Sequence, residues 1–230
     1  MSNHYKNIDR HLVAVDNIIF GFDGSGLMLL VVKRLIEPCK GEWSLMGGFV
    51  RANESLDEAA ARVVRYTTGL ADVFMEQFYT YGEVARDTEA RTISTAYYTL
   101  IRVEQYDEAL GQSHGAKWFP IDKFPSLIFD HNRMVEDALQ VLAEKTRNQP
   151  VGFELLPEKF TIPQLRALYE AINGKYLDPG NFSKKLHSMK LLTRLDEKDK
   201  SQSKKGAYYY RFDKVRYEEL QKEGLLFELK

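Results

Sequence analysis

Positions 63, 66 and 67 of the chain stand at the i, i+3, i+4 spacing that brings side chains onto one face of a helix. Three carboxylates so placed would grip a divalent cation, since magnesium takes hard oxygen ligands and retained waters. A metal held there would neutralise phosphates and lower the pKa of an attacking water. The chain carries Val63, Tyr66 and Thr67 instead. Valine offers no oxygen, and two hydroxyls are poor substitutes for carboxylates. The neighbouring residues suit a scaffold: Gly48 permits a close turn, Glu54 and Arg62 can pair to fix a loop on the helix, and Gly69 can end it in a left-handed cap. The expectation is a frame that persists without its metal site. His4, His11, His114 and His131 show no metal-ligand spacing, and no nucleophile–base constellation or phosphate loop is visible. Neither a metal nor another cofactor is expected, and neither is enzymatic activity.

A second constellation lies near the C-terminus. Asp178-Pro179 is a helix start, an N-cap followed by proline at the first helical position. In the helix it opens, Phe182, Leu186 and Met189 fall on one side and are expected to pack inward. Lys184, His187 and Ser188 fall opposite, with Asn181, Ser183 and Lys190 on the flanks and Lys185 adding a further cation. Such groups can meet base edges, and the lysines can meet phosphates. Downstream, Lys200, Lys204 and Lys205 lie at the tip of an expected hairpin, suited to a backbone contact. Residues 161–216 carry 13 Lys+Arg against 6 Asp+Glu, whereas the whole chain has a net charge of −1. An acidic body with a basic C-terminal module assigns nucleic-acid contact to one part of the chain.

The elements that must position these groups follow from periodicity and turn chemistry. His11 to Phe22 and Leu27 to Arg34 read as strands joined by Asp23-Gly24-Ser25-Gly26. A loop leads to Trp43, and Ser55 to Thr68 reads as a helix with Leu56, Ala59, Ala60, Val63 and Val64 as its apolar stripe. Phe74 to Ala85 and Thr92 to Val103 read as strands rich in tyrosine, threonine and isoleucine, and Lys117 to Ile121 as a short one. Phe129 to Arg147 follows as an amphipathic helix, and Asn148-Gln149-Pro150 marks a boundary. Beyond it come a short strand over Val151 to Leu156, a helix capped by Thr161 and ended at Asn173-Gly174, and the helix from Asp178 to about Leu192. A hairpin of Leu191 to Glu197 with Tyr208 to Phe212 and a closing helix over Lys214 to Glu223 complete the chain. Helix, short turn, helix and basic hairpin form the winged-helix plan, whose second helix enters the major groove.

With 230 residues, 44% of them hydrophobic, two modest domains each have enough apolar material for a core. The single Cys39 rules out an internal disulfide and suits a reducing cytoplasm. A polar segment over residues 1–10 carries no leader pattern, and no apolar run is long enough to span a bilayer.

Gly48, Glu54, Arg62, Val64, Gly69 and Leu70, with Trp43 to Gly47 before them, resemble the frame of a Nudix box, Met46 replacing the usual proline. With the basic C-terminal module, the chain is similar to the Nudix-related transcriptional regulators. The resemblance implies an α/β fold: a Nudix α/β/α sandwich over residues 1–149 for effector sensing, then a winged helix-turn-helix over 150–230 for DNA. It implies a repressor on a double-stranded DNA operator, and operator symmetry as a general rule adds the expectation of a homodimer. The chain looks most like the arabinose-responsive branch, implying an L-arabinose effector. Aromatic faces and planar polar groups for a sugar are offered by Trp43, Tyr79, Tyr81 and Tyr97, with Lys33, Arg34, Arg51 and Glu83. The alternative is a hydrolase or sensor of ADP-ribose or another NAD-cycle nucleotide.

Overall fold

The computed structural model describes residues 8–106, 114–201 and 204–223; part of the polar N-terminal segment and Gln202 and Ser203 of the hairpin tip lie outside them. The first half is built on β1 (Leu12–Phe22), buried from Ala14 onward because both of its faces are covered. It pairs antiparallel with β2 (Leu27–Lys33) across a turn in which Asp23 Oδ1 accepts from the Ser25 and Gly26 amides, each at 2.8 Å. Two short strands that periodicity did not suggest, β3 (Trp43–Ser44) and β4 (Met46–Phe49), carry the chain back along β2 and β1. β5 (Phe74–Tyr81) and β6 (Thr92–Leu100) extend the sheet on its other side, where β1 and β6 run parallel. β7 (Ala116–Pro120) pairs with β2, and the main path of the sheet runs β3-β2-β1-β6-β5.

Period-two alternation along β1 assigns one helix to each face. Val15 and Ile19 face α1 (Leu56–Thr68), whose Ala59, Ala60, Val63 and Val64 are buried against them. Ile18, Phe20 and Phe22 face α2 (His131–Asn148), packed through Met134, Val135, Ala138 and Leu142. This is the expected α/β/α sandwich. The start of α1 is fixed by a capping box in which Ser55 and Glu58 satisfy each other's amides, and Gly69 ends it at φ 73°.

The second half has α3 (Ile162–Asn173), capped by Thr161, and α4 (Pro179–Met189), capped by Asp178. α4 stops short of Leu192 because Lys190 turns left-handed at φ 53°. β9 (Leu192–Asp199) and β10 (Ala207–Phe212) form the wing, joined by β8 (Phe160–Thr161) into a three-stranded sheet; α5 (Lys214–Lys222) follows. The strand expected over residues 151–156 is instead a 3-10 turn at Phe153–Leu155. Gly152 at φ 103° reverses the chain, and its amide donates to Glu154 Oε2 at 3.0 Å. The strands expected to reach Ala85 and Val103 end earlier, at Tyr81 and Leu100. One apolar cluster runs from Phe20 and Leu142 through Leu168 to Phe182, so the two halves share packing. Among the described residues no helix is long and apolar enough to cross a membrane.

Candidate functional site

A cleft of about 490 Å³ opens between β4, the inner end of α1 and the start of α2. That is within the roughly 300–1,000 Å³ of small-molecule sites. Its floor is a buried charged cluster. Arg86 grips Asp130 with both arms of its guanidinium, at 2.9 and 2.8 Å, and lies 3.7 Å from Asp16. Asp16 Oδ2 accepts from the Ser94 hydroxyl at 2.6 Å, and its other oxygen lies against Gly47, where a Cβ would stand 2.2 Å away. Glycine is required there by close approach. His131 Nδ1 accepts from the Leu45 amide at 3.2 Å, leaving Nε2 facing Asp16 at 3.8 Å. Burial pushes the imidazole pKa down and outweighs the opposing pull of Asp16 and Asp130, so the ring is held neutral.

The wall formed by α1 shows the expected frame. Glu54 accepts from Arg62 Nε at 2.8 Å and Nη2 at 2.5 Å, which holds its pKa down at about 2. Arg62 also donates to the Phe49 carbonyl at 3.0 Å, tying β4 to the helix. Val63, Tyr66 and Thr67 all face the cleft. A Val63 methyl packs over Gly48, the Thr67 hydroxyl donates to the Val63 carbonyl at 2.8 Å, and the exposed Tyr66 ring meets His114 edge-on. Among the described residues no group of three or more His, Cys, Asp or Glu is placed to hold a metal ion. The donor set does not fit magnesium.

Of the residues expected to bind an effector, Lys33, Arg34 and Arg51 line this cleft. The other five lie elsewhere. Trp43 packs edge-on against Phe119 with Lys33 over its ring. Tyr97 points under α1, its hydroxyl donating to Asp57 at 2.5 Å, and Tyr81 points to the opposite face, donating to Asp137 at 2.7 Å. Burial, reinforced by those carboxylates, raises both phenol pKa values. Tyr79 is exposed on the edge strand, and Glu83 offers its carbonyl to Arg91. The tyrosines were expected from residue type, but strand parity turns them away from the cleft. Sequence reasoning missed Asp16, Arg86 and Asp130, which come together from three separate segments with no local spacing to announce them.

In the second half, Phe182, Leu186 and Met189 of α4 are buried, while Asn181, Lys184, Lys185, His187, Ser188 and Lys190 are exposed and Ser183 half-buried. The Ser188 hydroxyl donates to the Lys185 carbonyl at 2.7 Å, so it faces outward as an acceptor. Lys200, Lys204 and Lys205 are exposed at the wing tip. The Tyr208 ring carries Arg194 at 4.7 Å and Lys198 at 4.3 Å, adding two cations that the sequence did not single out.

Comparison with known families matches residues 10–141 to the NUDIX domain and residues 152–212 to the NrtR DNA-binding winged helix domain. The chain is 29% identical over 205 residues to the ADPR responsive transcriptional repressor NtrR of Acinetobacter baylyi, covering 87% of this chain and 82% of that one. It is 30% identical over 128 residues to an ADP-ribose pyrophosphatase of Methanocaldococcus jannaschii, covering 56% of this chain and 73% of that one. Its fold is similar to Shewanella oneidensis NrtR complexed with a 27mer DNA, with a TM-score of 0.79, 27% identity and coverage of 87% and 93%. It is also similar to the NUDIX domain of that protein complexed with ADP ribose, with a TM-score of 0.51, 26% identity and coverage of 61% and 94%. The arabinose branch expected from the sequence draws no support from these relatives.

Proposed function

Since the chain belongs to the NUDIX domain family and carries an NrtR-type winged helix, we propose that it is a cytoplasmic, homodimeric transcriptional repressor whose Nudix half senses ADP-ribose without hydrolysing it. What carries the reading is the pairing, on one chain, of a cation-lined, carboxylate-poor cleft with a helix that presents Lys184, His187 and Ser188 outward. A neutral pentose gives those cations nothing to neutralise; a diphosphate ester does. Three relatives compared over the cleft name ADP-ribose: the Acinetobacter baylyi repressor, the Methanocaldococcus jannaschii pyrophosphatase and the NUDIX domain complex of Shewanella oneidensis NrtR, which favours the nucleotide over arabinose.

α2 joins the two events. Its first turn, Asp130 and His131, forms the cleft floor. At its far end the Thr146 hydroxyl accepts from Asn173 Nδ2 at 3.3 Å, reaching α3, which packs against α4 through Tyr169 and Phe182. A ligand that redraws the bonds of Arg86 moves α2, and with it the DNA-reading helix. A coupling of ~1–3 kcal/mol changes operator affinity roughly 5–150-fold.

The test is anisotropy of the full chain on DNA from upstream of its own gene cluster, titrated with ADP-ribose and separately with L-arabinose. Release by ADP-ribose alone is the expected outcome; release by arabinose alone overturns the effector assignment. Incubation with ADP-ribose and magnesium is expected to yield no AMP, and steady turnover would make the chain a hydrolase.

A further inference from the structure

The family frame implies a divalent ion in this cleft, yet the charges around it run the other way. The two carboxylates that line the cleft are both occupied within the protein. Asp16 accepts from Ser94 and lies between Arg86 and His131, and Asp87 accepts from the Thr92 hydroxyl at 3.2 Å and the Glu89 amide at 3.0 Å. Two of the five lining cations are likewise committed, Arg62 to Glu54 and Arg86 to Asp130. The remaining three, Lys33, Arg34 and Arg51, have no carboxylate within ion-pair distance among the described residues. Arg34 is held in place instead: its Nε donates to the Pro38 carbonyl at 2.6 Å, and its guanidinium lies over the Phe129 ring. Its Nε is thereby fixed, and among the described residues its terminal N–H groups have no hydrogen-bond partner.

We infer that the cleft binds a diphosphate ester directly on Lys33, Arg34 and Arg51 with no divalent ion between, so that magnesium opposes binding instead of supporting it. The inference deepens the proposed sensing function and rests on it for the ligand class. In a Nudix hydrolase fold the carboxylate face of the helix needs a cation to approach a phosphate at all. Here Val63 covers Gly48 with a methyl, and the cations come from the end of β2 and from the segments that follow β2 and β4. Guanidinium groups match phosphate oxygens with paired, charge-assisted hydrogen bonds. Magnesium that coordinates the free diphosphate removes the negative charge these groups recognise and adds a cation to a cleft already carrying unpaired ones.

The experiment is calorimetry on the full chain with ADP-ribose, AMP and inorganic pyrophosphate, each in EDTA and in excess magnesium. ADP-ribose is expected to bind in EDTA and several-fold more weakly in magnesium. Arg51→Ala, at an exposed position, is expected to weaken ADP-ribose in EDTA about 10–100-fold, the range for a charge-assisted hydrogen bond lost to a charged partner. An unchanged thermal unfolding midpoint for Arg51→Ala would show that the loss is one of recognition. Binding only in magnesium overturns the inference while leaving the sensing function intact. Binding of pyrophosphate in EDTA without ADP-ribose supports the inference and overturns the effector, whereas binding of AMP alone overturns both. Absence of binding by all three in EDTA overturns it.

Discussion

Replacing Arg86 with methionine tests whether the cleft floor is held together by charge. The side chain is 3% exposed and makes two bonds to Asp130, whose side chain is 19% exposed, beside Asp16 at 9%. Methionine fills much of the same volume but leaves buried Asp16 and half-buried Asp130 without the cation they share. Stranding a buried ion's partner costs about 3–5 kcal/mol. Two compensations place this case at the lower end: Asp16 keeps its bond from Ser94, and Asp130 precedes α2, where the helix dipole favours an anion. The expected loss is therefore about 3 kcal/mol, a drop of roughly 6–12 °C in melting temperature for a chain of this size. Urea unfolding followed by tryptophan fluorescence should show a lower midpoint with unchanged slope, since the surface exposed on unfolding is the same. Adding Asp130→Asn to the same chain removes one stranded charge and should recover part of the loss. A midpoint equal to that of the wild type would refute the view that charge organises the floor.

The Glu54–Arg62 pair gives a pH dependence with a definite sign. The folded carboxyl pKa is lowered to about 2 by Arg62, so the pair's contribution is fully present above the ordinary glutamate value and is lost as pH falls towards 2. Unfolding of Glu54→Gln should be less sensitive to pH across that window than unfolding of the wild type; equal slopes would remove the pair from the account. Gly47→Ala drives a Cβ into the Asp16 carboxylate and should destabilise the protein by about 1–3 kcal/mol, read from the urea midpoint. Lys184→Ala and Ser188→Ala should weaken operator binding without shifting thermal unfolding. The lysine change should also reduce the salt slope of binding by about one. Wild-type affinity in both variants would displace the recognition helix from α4.

What the sequence disclosed and what it hid divide along a physical line. Capping residues act on their neighbours, so Thr161 and Asp178 announced their helices and Gly69 the end of α1, whose start was read from its apolar stripe. The Glu54–Arg62 pair was legible for the same reason, because one helix and the loop before it bring both groups together. β3 and β4 are too short for alternation to register, and their existence depends on pairing with β2 and β1. The cleft floor was invisible because Asp16, Arg86 and Asp130 belong to a strand, a loop and a helix start that only the finished sheet brings within 4 Å. The tyrosines show the complementary failure. Their chemistry suits a sugar, but Tyr97 and Tyr81 belong to opposite faces of the sheet, and each spends its hydroxyl on a helix carboxylate.

That hidden floor also bears on how little motion a signal requires. Arg86 lines the cleft while holding the residue that precedes α2, so on the proposed function a ligand phosphate that reached it would compete with Asp130 for the same guanidinium. A single charge-assisted hydrogen bond is worth roughly 1.5–3 kcal/mol, and an allosteric coupling of ordinary size is ~1–3 kcal/mol. Redrawing one of the two Arg86–Asp130 bonds would therefore match in size the coupling that the proposed operator release requires. Leu142 of α2 and Phe182 of α4 belong to one apolar cluster, which offers a packed route by which a shift of α2 could reach α4. An effector that engages Lys33, Arg34 and Arg51 but leaves Arg86 on Asp130 would bind tightly and release nothing. On the proposed function, affinity in this cleft would thus be set by Lys33, Arg34 and Arg51, and signalling by Arg86.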